Sequence, residues 1–224
     1  MKNLNRKYKT YFTQKSFIIS VLIGILFLLA SFVINFYAGT YATENASSPV
    51  QDIILSNIPV FDVDATFIYG PLFLWLFVAI ILLYEPKKIP FVLKSVALFI
   101  LVRSIFITLT HIGPFPDQII VSADPSKWVS KFTFGGDLFF SAHTGLPFLM
   151  SLIFWDNKYF KWIFFATAVF FGIIVLLGHM HYTIDVLSAF FITYTIYHIA
   201  LALFKKDKEH FDRKHVDGEN PTFI

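Results

Sequence analysis

The stretch Phe17–Ala38 reads FIISVLIGILFLLASFVINFYA and contains no Asp, Glu, Lys or Arg. An α-helix rises about 1.5 Å per residue, so this run is long enough to cross roughly 30 Å of hydrocarbon. Backbone groups in hydrocarbon have no water to bond, and a helix satisfies them within the segment. Working outward, five more apolar stretches follow: Phe67–Tyr84, Phe91–Thr110, Leu138–Trp155, Trp162–Gly178 and His181–Phe204. The pattern predicts an all-α fold, an integral membrane bundle of about six transmembrane helices over residues 17–204. An N-terminal segment, 1–16, precedes the bundle, and a polar tail, 205–224, follows it and is expected to be mobile.

Composition agrees with the spans. Hydrophobic residues make up 56% of the 224 and charged residues only 15%, against roughly a quarter charged in soluble domains. There are no cysteines, which excludes disulfides, thiolate metal sites and Cys nucleophiles. A net charge of +3 does not point to a nucleic-acid partner. No internal repeat is present, and a single domain is expected. The basic flank from Lys2 to Lys15 is that of a signal peptide, but the apolar run exceeds the roughly 7–15 residues of a cleaved segment, so an uncleaved signal-anchor is expected.

Basic residues set the expected orientation. Lys2, Arg6, Lys7, Lys9, Lys15, Lys87, Lys88, Lys158, Lys161, Lys205, Lys206, Lys208, Arg213 and Lys214 fall on one side of the predicted bundle. The loops 39–66 and 111–137 on the other side hold only Lys127 and Lys131. Both termini are therefore expected in the cytoplasm, with the two longer loops outside. Loop 39–66 is acidic, with Glu44, Asp52, Asp62 and Asp64. It also carries Asn45-Ala46-Ser47, a glycosylation acceptor pattern that matters only in a secretory pathway. The short chain without an appended domain leads us to expect a bacterial cytoplasmic membrane.

Ionisable groups inside a span are expensive and are functional candidates by default. Four stand out: Arg103, His143, His181 and Asp185. All fall in the half of the predicted bundle away from the termini, with Arg103 roughly 10 Å deep by helical rise. His181 is read as opening the last helix, which puts Asp185 at i+4 on the same face. A carboxylate there accepts the proton of one ring nitrogen and leaves the other free for attack. His143, from another helix, supplies an acid for the leaving oxygen. The H-x-x-x-D spacing alone recurs by chance in many chains.

Around His143 the chain reads GGDLFFSAHTG, Gly135–Gly145. Small residues and hydroxyls at a helix N-terminus suit phosphate, because N–H groups and the helix dipole favour an anion. Ser141 and Thr144 are candidate donors. Arg103 has two readings, a phosphate partner or a helix-bridging residue. Asp137 reads equally as a helix N-cap and as a substrate contact. His111, His179 and His198 read as structural, and Tyr84, Trp155 and Trp162 as interface anchors.

Three stretches, RSIFITLTHIGPFP (Arg103–Pro116), GGDLFFSAHT (Gly135–Thr144) and HMHYTIDV (His179–Val186), resemble the type-2 phosphatidic acid phosphatase superfamily, most closely its sphingomyelin-synthase-like branch. The resemblance implies a phosphohistidine mechanism: His181 as nucleophile, Asp185 as its orienter and His143 as general acid. It implies no metal and no cofactor, with phospholipid and lipid-alcohol substrates as partners. The chain departs from the family pattern at Ala142, where Gly is usual, and at Gly135, often Cys. The phosphatase branch also has a Lys-x6-Arg-Pro motif and a Ser-Arg pair. Here Lys94 and Arg103 are spaced differently and Ile174-Val175 take the Ser-Arg positions, which favours the synthase-like branch. The expected activity is transfer of a phospho-head group to a ceramide- or diacylglycerol-like alcohol, the alternative being hydrolysis with water as acceptor. A transporter would scatter polar groups over both membrane depths, and a b-type haem protein would use His143 and His181 as axial ligands.

Overall fold

A computed structural model describes residues 2–119 and 136–212. Lys127, Lys131, Gly135 and the end of the tail from Arg213 lie outside the described residues. The described chain forms helices α1 (Lys2–Phe12), α2 (Lys15–Glu44), α3 (Asp64–Tyr84), α4 (Ile89–Leu109), α5 (Ala142–Ile153), α6 (Lys158–Leu177), α7 (Thr183–Leu203) and α8 (Lys205–Asp212). Short 3₁₀ turns occupy Leu55–Asn57 and Pro86–Lys88, and there are no strands among the described residues.

Five helices, α2, α3, α4, α6 and α7, are long and apolar enough to cross a membrane. Their outward faces carry large apolar side chains such as Phe73 and Phe191, the latter 75% exposed. Exposure of that extent along whole helices suits lipid and not water. The central helix is α4, with Phe91, Ala97, Phe99 and Ile107 fully buried. Around it Leu149, Met150, Phe164 and Ile196 close the main core.

The sixth expected span, Leu138–Trp155, is shortened. Helix α5 has only 12 residues, about 18 Å of rise, and begins at Ala142. Leu138 and Phe140 are buried but not helical. Non-helical backbone is tolerated at membrane depth only where protein satisfies its polar groups. Arg103 does so here: its Nε donates to Phe140 O at 2.9 Å and its Nη2 to Asp137 O. The apolar run was legible, but the guanidinium that replaces its helical bonds was not.

The bundle has two distinct ends. Helices α1 and α8 lie at one, where Lys7 Nζ meets Glu85 Oε1 at 2.5 Å and Tyr8 OH donates to Leu83 O at 3.0 Å. The tail also docks there, contrary to the expected mobility of its first part. Helix α8 inserts Asp207 under the bundle, where its carboxylate meets Lys94 Nζ at 2.6 Å and accepts from Ser20 Oγ at 2.5 Å. Lys94 Nζ also donates to Ser20 Oγ at 2.7 Å. Phe211, next turn along, packs on Phe91 and Phe154. A buried charge without its partner is costly, so this short polar helix is held by one carboxylate that meets a lysine on α4.

At the opposite end, the loops are tied to the start of α7 by Asp52. Its Oδ2 accepts from Thr183 N at 2.7 Å and its Oδ1 from Thr183 Oγ1 at 2.8 Å. Oδ1 also accepts from the N–H groups of Ile54 and Leu55. Asp52 therefore caps α7 from 131 residues away, using a carboxylate where the helix dipole favours one. Burial raises its pKa, but the bonds from Thr183, Leu55 and Ile54 outweigh that and hold it below the usual 3.8.

Two outcomes are expected. Asp207→Ala leaves Lys94 buried without its counter-charge and lowers stability by about 3 kcal/mol or more, read as an earlier unfolding transition in detergent. Lys94→Met combined with Asp207→Leu recovers most of that loss. For Asp52 the folded pKa is depressed, so its contribution is full above the unfolded pKa and is lost as pH falls through the folded value. Asp52→Ala should cost about 1 kcal/mol at neutral pH, and in acid its stability curve should converge with that of the parent.

Candidate active site

The sequence places His181 on a helix; the structure places it just before one. Helix α7 begins at Thr183 with Tyr182 as N-cap, so His181 and Asp185 do not share a helical face. The turn brings them together instead. Asp185 Oδ2 accepts the Tyr182 N–H at 2.9 Å, the inner half of a capping arrangement, and the same oxygen lies 3.5 Å from His181 Nδ1. Asp185 is fully buried and His181 is 7% exposed. Asp185 Oδ1 has no hydrogen-bond partner among the described residues. The contact is one of proximity: His181 Nδ1 is buried and makes no hydrogen bond among the described residues.

The preceding turn is also unusual. Met180 N bonds Val175 O at 2.9 Å and His179 N bonds Leu176 O at 3.0 Å, the paired closure of a Schellman helix end. Glycine is usual at the left-handed position, but here it is His179, at φ 53°. Its ring is buried against Phe115, with neither nitrogen hydrogen-bonded among the described residues.

His143 is the second residue of α5. Its Nε2 lies 3.2 Å from Phe67 O, and its ring stacks on that of Phe67 with centroids 4.0 Å apart. A backbone bond couples the two motifs directly, Ser141 N donating to Asp185 O at 3.1 Å. Ser141 is the N-cap of α5, its Oγ accepting from Thr144 N at 3.4 Å, so the cap is Ser141 and not Asp137. The Thr144 hydroxyl is buried with no hydrogen-bond partner among the described residues. Close packing needs glycine at 145: a Cβ there would sit 2.6 Å from the Phe99 ring and 2.9 Å from Thr193 Oγ1.

Arg103 and Asp137 meet each other. Arg103 Nη1 lies 3.0 Å from Asp137 Oδ2, and the guanidinium also holds the carbonyls of Asp137 and Phe140. The bridging reading of Arg103 describes this geometry, with its planar fork matched to three acceptors. The Ala142 methyl packs against the main core. His111 bonds Thr108 O at 3.0 Å, and His198 packs on Tyr194.

Two contributors escaped the sequence: Asp52, which caps α7, and Phe67, which holds His143 by ring and carbonyl. Asp52 had only its place in an acidic loop, and Phe67 only its place at the start of a span. Among the described residues, no three His, Asp or Glu side chains converge in a metal-binding group. The arrangement offers an imidazole beside a buried carboxylate, a second imidazole with one nitrogen engaged, and hydroxyls at the N-terminus of α5.

No curated protein and no solved structure matches the chain. Residues 135–202, less than half of the chain, match the family model described as PAP2 superfamily C-terminal. That stretch holds Asp137, Ser141, His143, Thr144, His181 and Asp185, and in it the chain is similar to the PAP2 superfamily, the type-2 phosphatidic acid phosphatase superfamily its motifs resemble.

Proposed function

We propose that the protein is a membrane lipid phosphotransferase that moves a phospho-head group to a ceramide- or diacylglycerol-like alcohol through a phosphohistidine on His181. The observation that carries this reading is the Asp185 carboxylate 3.5 Å from His181 Nδ1. With Nδ1 protonated and facing Asp185, the Nε2 lone pair attacks phosphorus. The P–O bond to the leaving alcohol breaks as the N–P bond forms, and His143 delivers its proton to the departing oxygen. Asp185 offsets the positive charge that His181 carries as a phosphoimidazolium. In the second half His143 takes the acceptor's hydroxyl proton, the acceptor oxygen attacks phosphorus, and the N–P bond breaks to restore His181.

The remaining polar groups have proposed places in this scheme. The Ser141 hydroxyl, whose oxygen caps α5, and the unpartnered Thr144 hydroxyl donate to phosphate oxygens at the helix N-terminus. Arg103, paired with Asp137, fixes the segment before that N-terminus and adds positive charge nearby. Support for the synthase-like branch comes from Lys94, which is bound to Asp207 and Ser20 beside the chain termini. A lysine held there is not a phosphate ligand of the phosphatase kind. The excess of Lys and Arg in the end bearing both termini supports a cytoplasmic location for that end, with the site facing the other side.

Trapping with labelled phospholipid tests the reading. The parent should yield an acid-labile phosphoenzyme that is absent from His181→Ala, and His143→Ala should lower turnover by about 10²–10⁴ while both variants insert and fold. Wild-type turnover in either variant would sink the assignment of roles. Product analysis with and without a lipid alcohol separates transfer from hydrolysis: lipid-linked product in the first case, free phosphate or phospho-head group in the second. Arg103→Lys keeps the charge but loses the fork, and should reduce turnover by about 10²-fold through misplacement of the 137–141 segment.

A further inference from the structure

Helix α3 runs from Asp64 to Tyr84 with Pro71 inside it. In an α-helix the N–H of residue 71 would bond the carbonyl of residue 67. Proline has no N–H, and its ring crowds that carbonyl and tilts it away from the helix axis. Phe67 O is therefore an acceptor without its helical donor, in an apolar bundle where such a group needs one. The donor found there is His143 Nε2, at 3.2 Å and from 76 residues away. The ring plane is set as well, by the stack on Phe67 at 4.0 Å and 21°.

We infer that Pro71 is a positioning residue for the site: by withholding its own N–H it reserves the Phe67 carbonyl for His143, which assigns the imidazole proton to Nε2 and leaves Nδ1 to exchange protons with substrate. The inference rests on the acid/base role proposed above for His143. A carbonyl oxygen only accepts, so Nε2 keeps its hydrogen in both the neutral and the cationic ring. The proton that is delivered and recovered then passes through Nδ1 alone. The two imidazoles thus have different neighbours, His181 a carboxylate 3.5 Å from Nδ1 and His143 a carbonyl 3.2 Å from Nε2. A carboxylate suits the ring that must carry positive charge through an intermediate. A neutral carbonyl orients the other ring without holding the proton it has to give away.

The test is nitrogen-15 NMR of labelled histidines in detergent, at a pH where imidazoles are neutral, with the His143 signal assigned by His143→Gln. The parent should show His143 as the Nε2–H tautomer. In Pro71→Ala the new helical N–H takes the Phe67 carbonyl, so the signal should move to a tautomer mixture. Turnover on labelled phospholipid should then fall about ten-fold with KM within about two-fold. Phe67→Leu keeps the carbonyl and removes the stack, and should keep the tautomer. Retention of the tautomer and of kcat in Pro71→Ala overturns the inference, as does loss of the tautomer in Phe67→Leu alone, which would assign the orientation to the ring. Should the parent transfer no phosphoryl group from any phospholipid tried, the reaction falls, while a tautomer change in Pro71→Ala would leave the reserved carbonyl standing.

Discussion

A segment of non-helical backbone inside an apolar bundle is the constraint on which the site depends. Residues 137–141 leave the helical pattern before α5 begins, and every carbonyl or N–H there that lacks a partner would cost several kcal/mol in hydrocarbon. Arg103 binds the carbonyls of Asp137 and Phe140 and the Asp137 carboxylate, and Ser141 N is taken by Asp185 O. With those bonds made, the N-terminus of α5 opens within the protein, not at its surface. A continuous helix from Leu138 would have kept its N–H groups for itself and moved His143 out of register with α7. The cost of burying a guanidinium at 5% exposure is offset by three acceptors it satisfies at once.

The two ends of the bundle solve opposite problems. At the end that bears α1 and α8, the chain holds a polar helix, α8, against apolar ones, and a buried ion pair with a bridging serine provides the specificity. At the other end it must keep loops in place above a site that substrate has to reach. There the links are between backbone and side chain: Asp52 to the start of α7, and Tyr182 OH to Gly113 O at 2.8 Å. Such links are individually modest, but they converge on the turn that carries His181 and Tyr182.

Hydropathy made the all-α membrane class and the five long helices legible, because a helix in lipid must be apolar over about 20 residues whatever it packs against. It misjudged α5, since an apolar stretch looks the same whether its carbonyls bond within a helix or to an arginine 34 residues earlier. The motif His181-x-x-x-Asp185 was visible, but its geometry was read for the wrong reason. Spacing alone does not say where a helix starts, and a start at Thr183 turns an i+4 face into a capping turn. Asp207 showed only as one charge in a polar tail, because its lysine lies on α4, 113 residues away. Arg103 and Asp137 each carried two readings, and the choice between them depended on a contact that no local pattern encodes.

The separation of the two imidazoles is set mainly by backbone. His143 follows Ser141 by two residues, His181 precedes Asp185 by four, and Ser141 N is bonded to Asp185 O. Side chains can therefore change at 143 or 181 without breaking the backbone bond that ties the two segments together. The converse holds for Arg103 and Pro71. Neither lies in the two motifs, yet the first determines where α5 can begin and the second determines which acceptor His143 finds. A site assembled at the starts of two helices is governed by whatever fixes those starts, and here that control lies in α3 and α4.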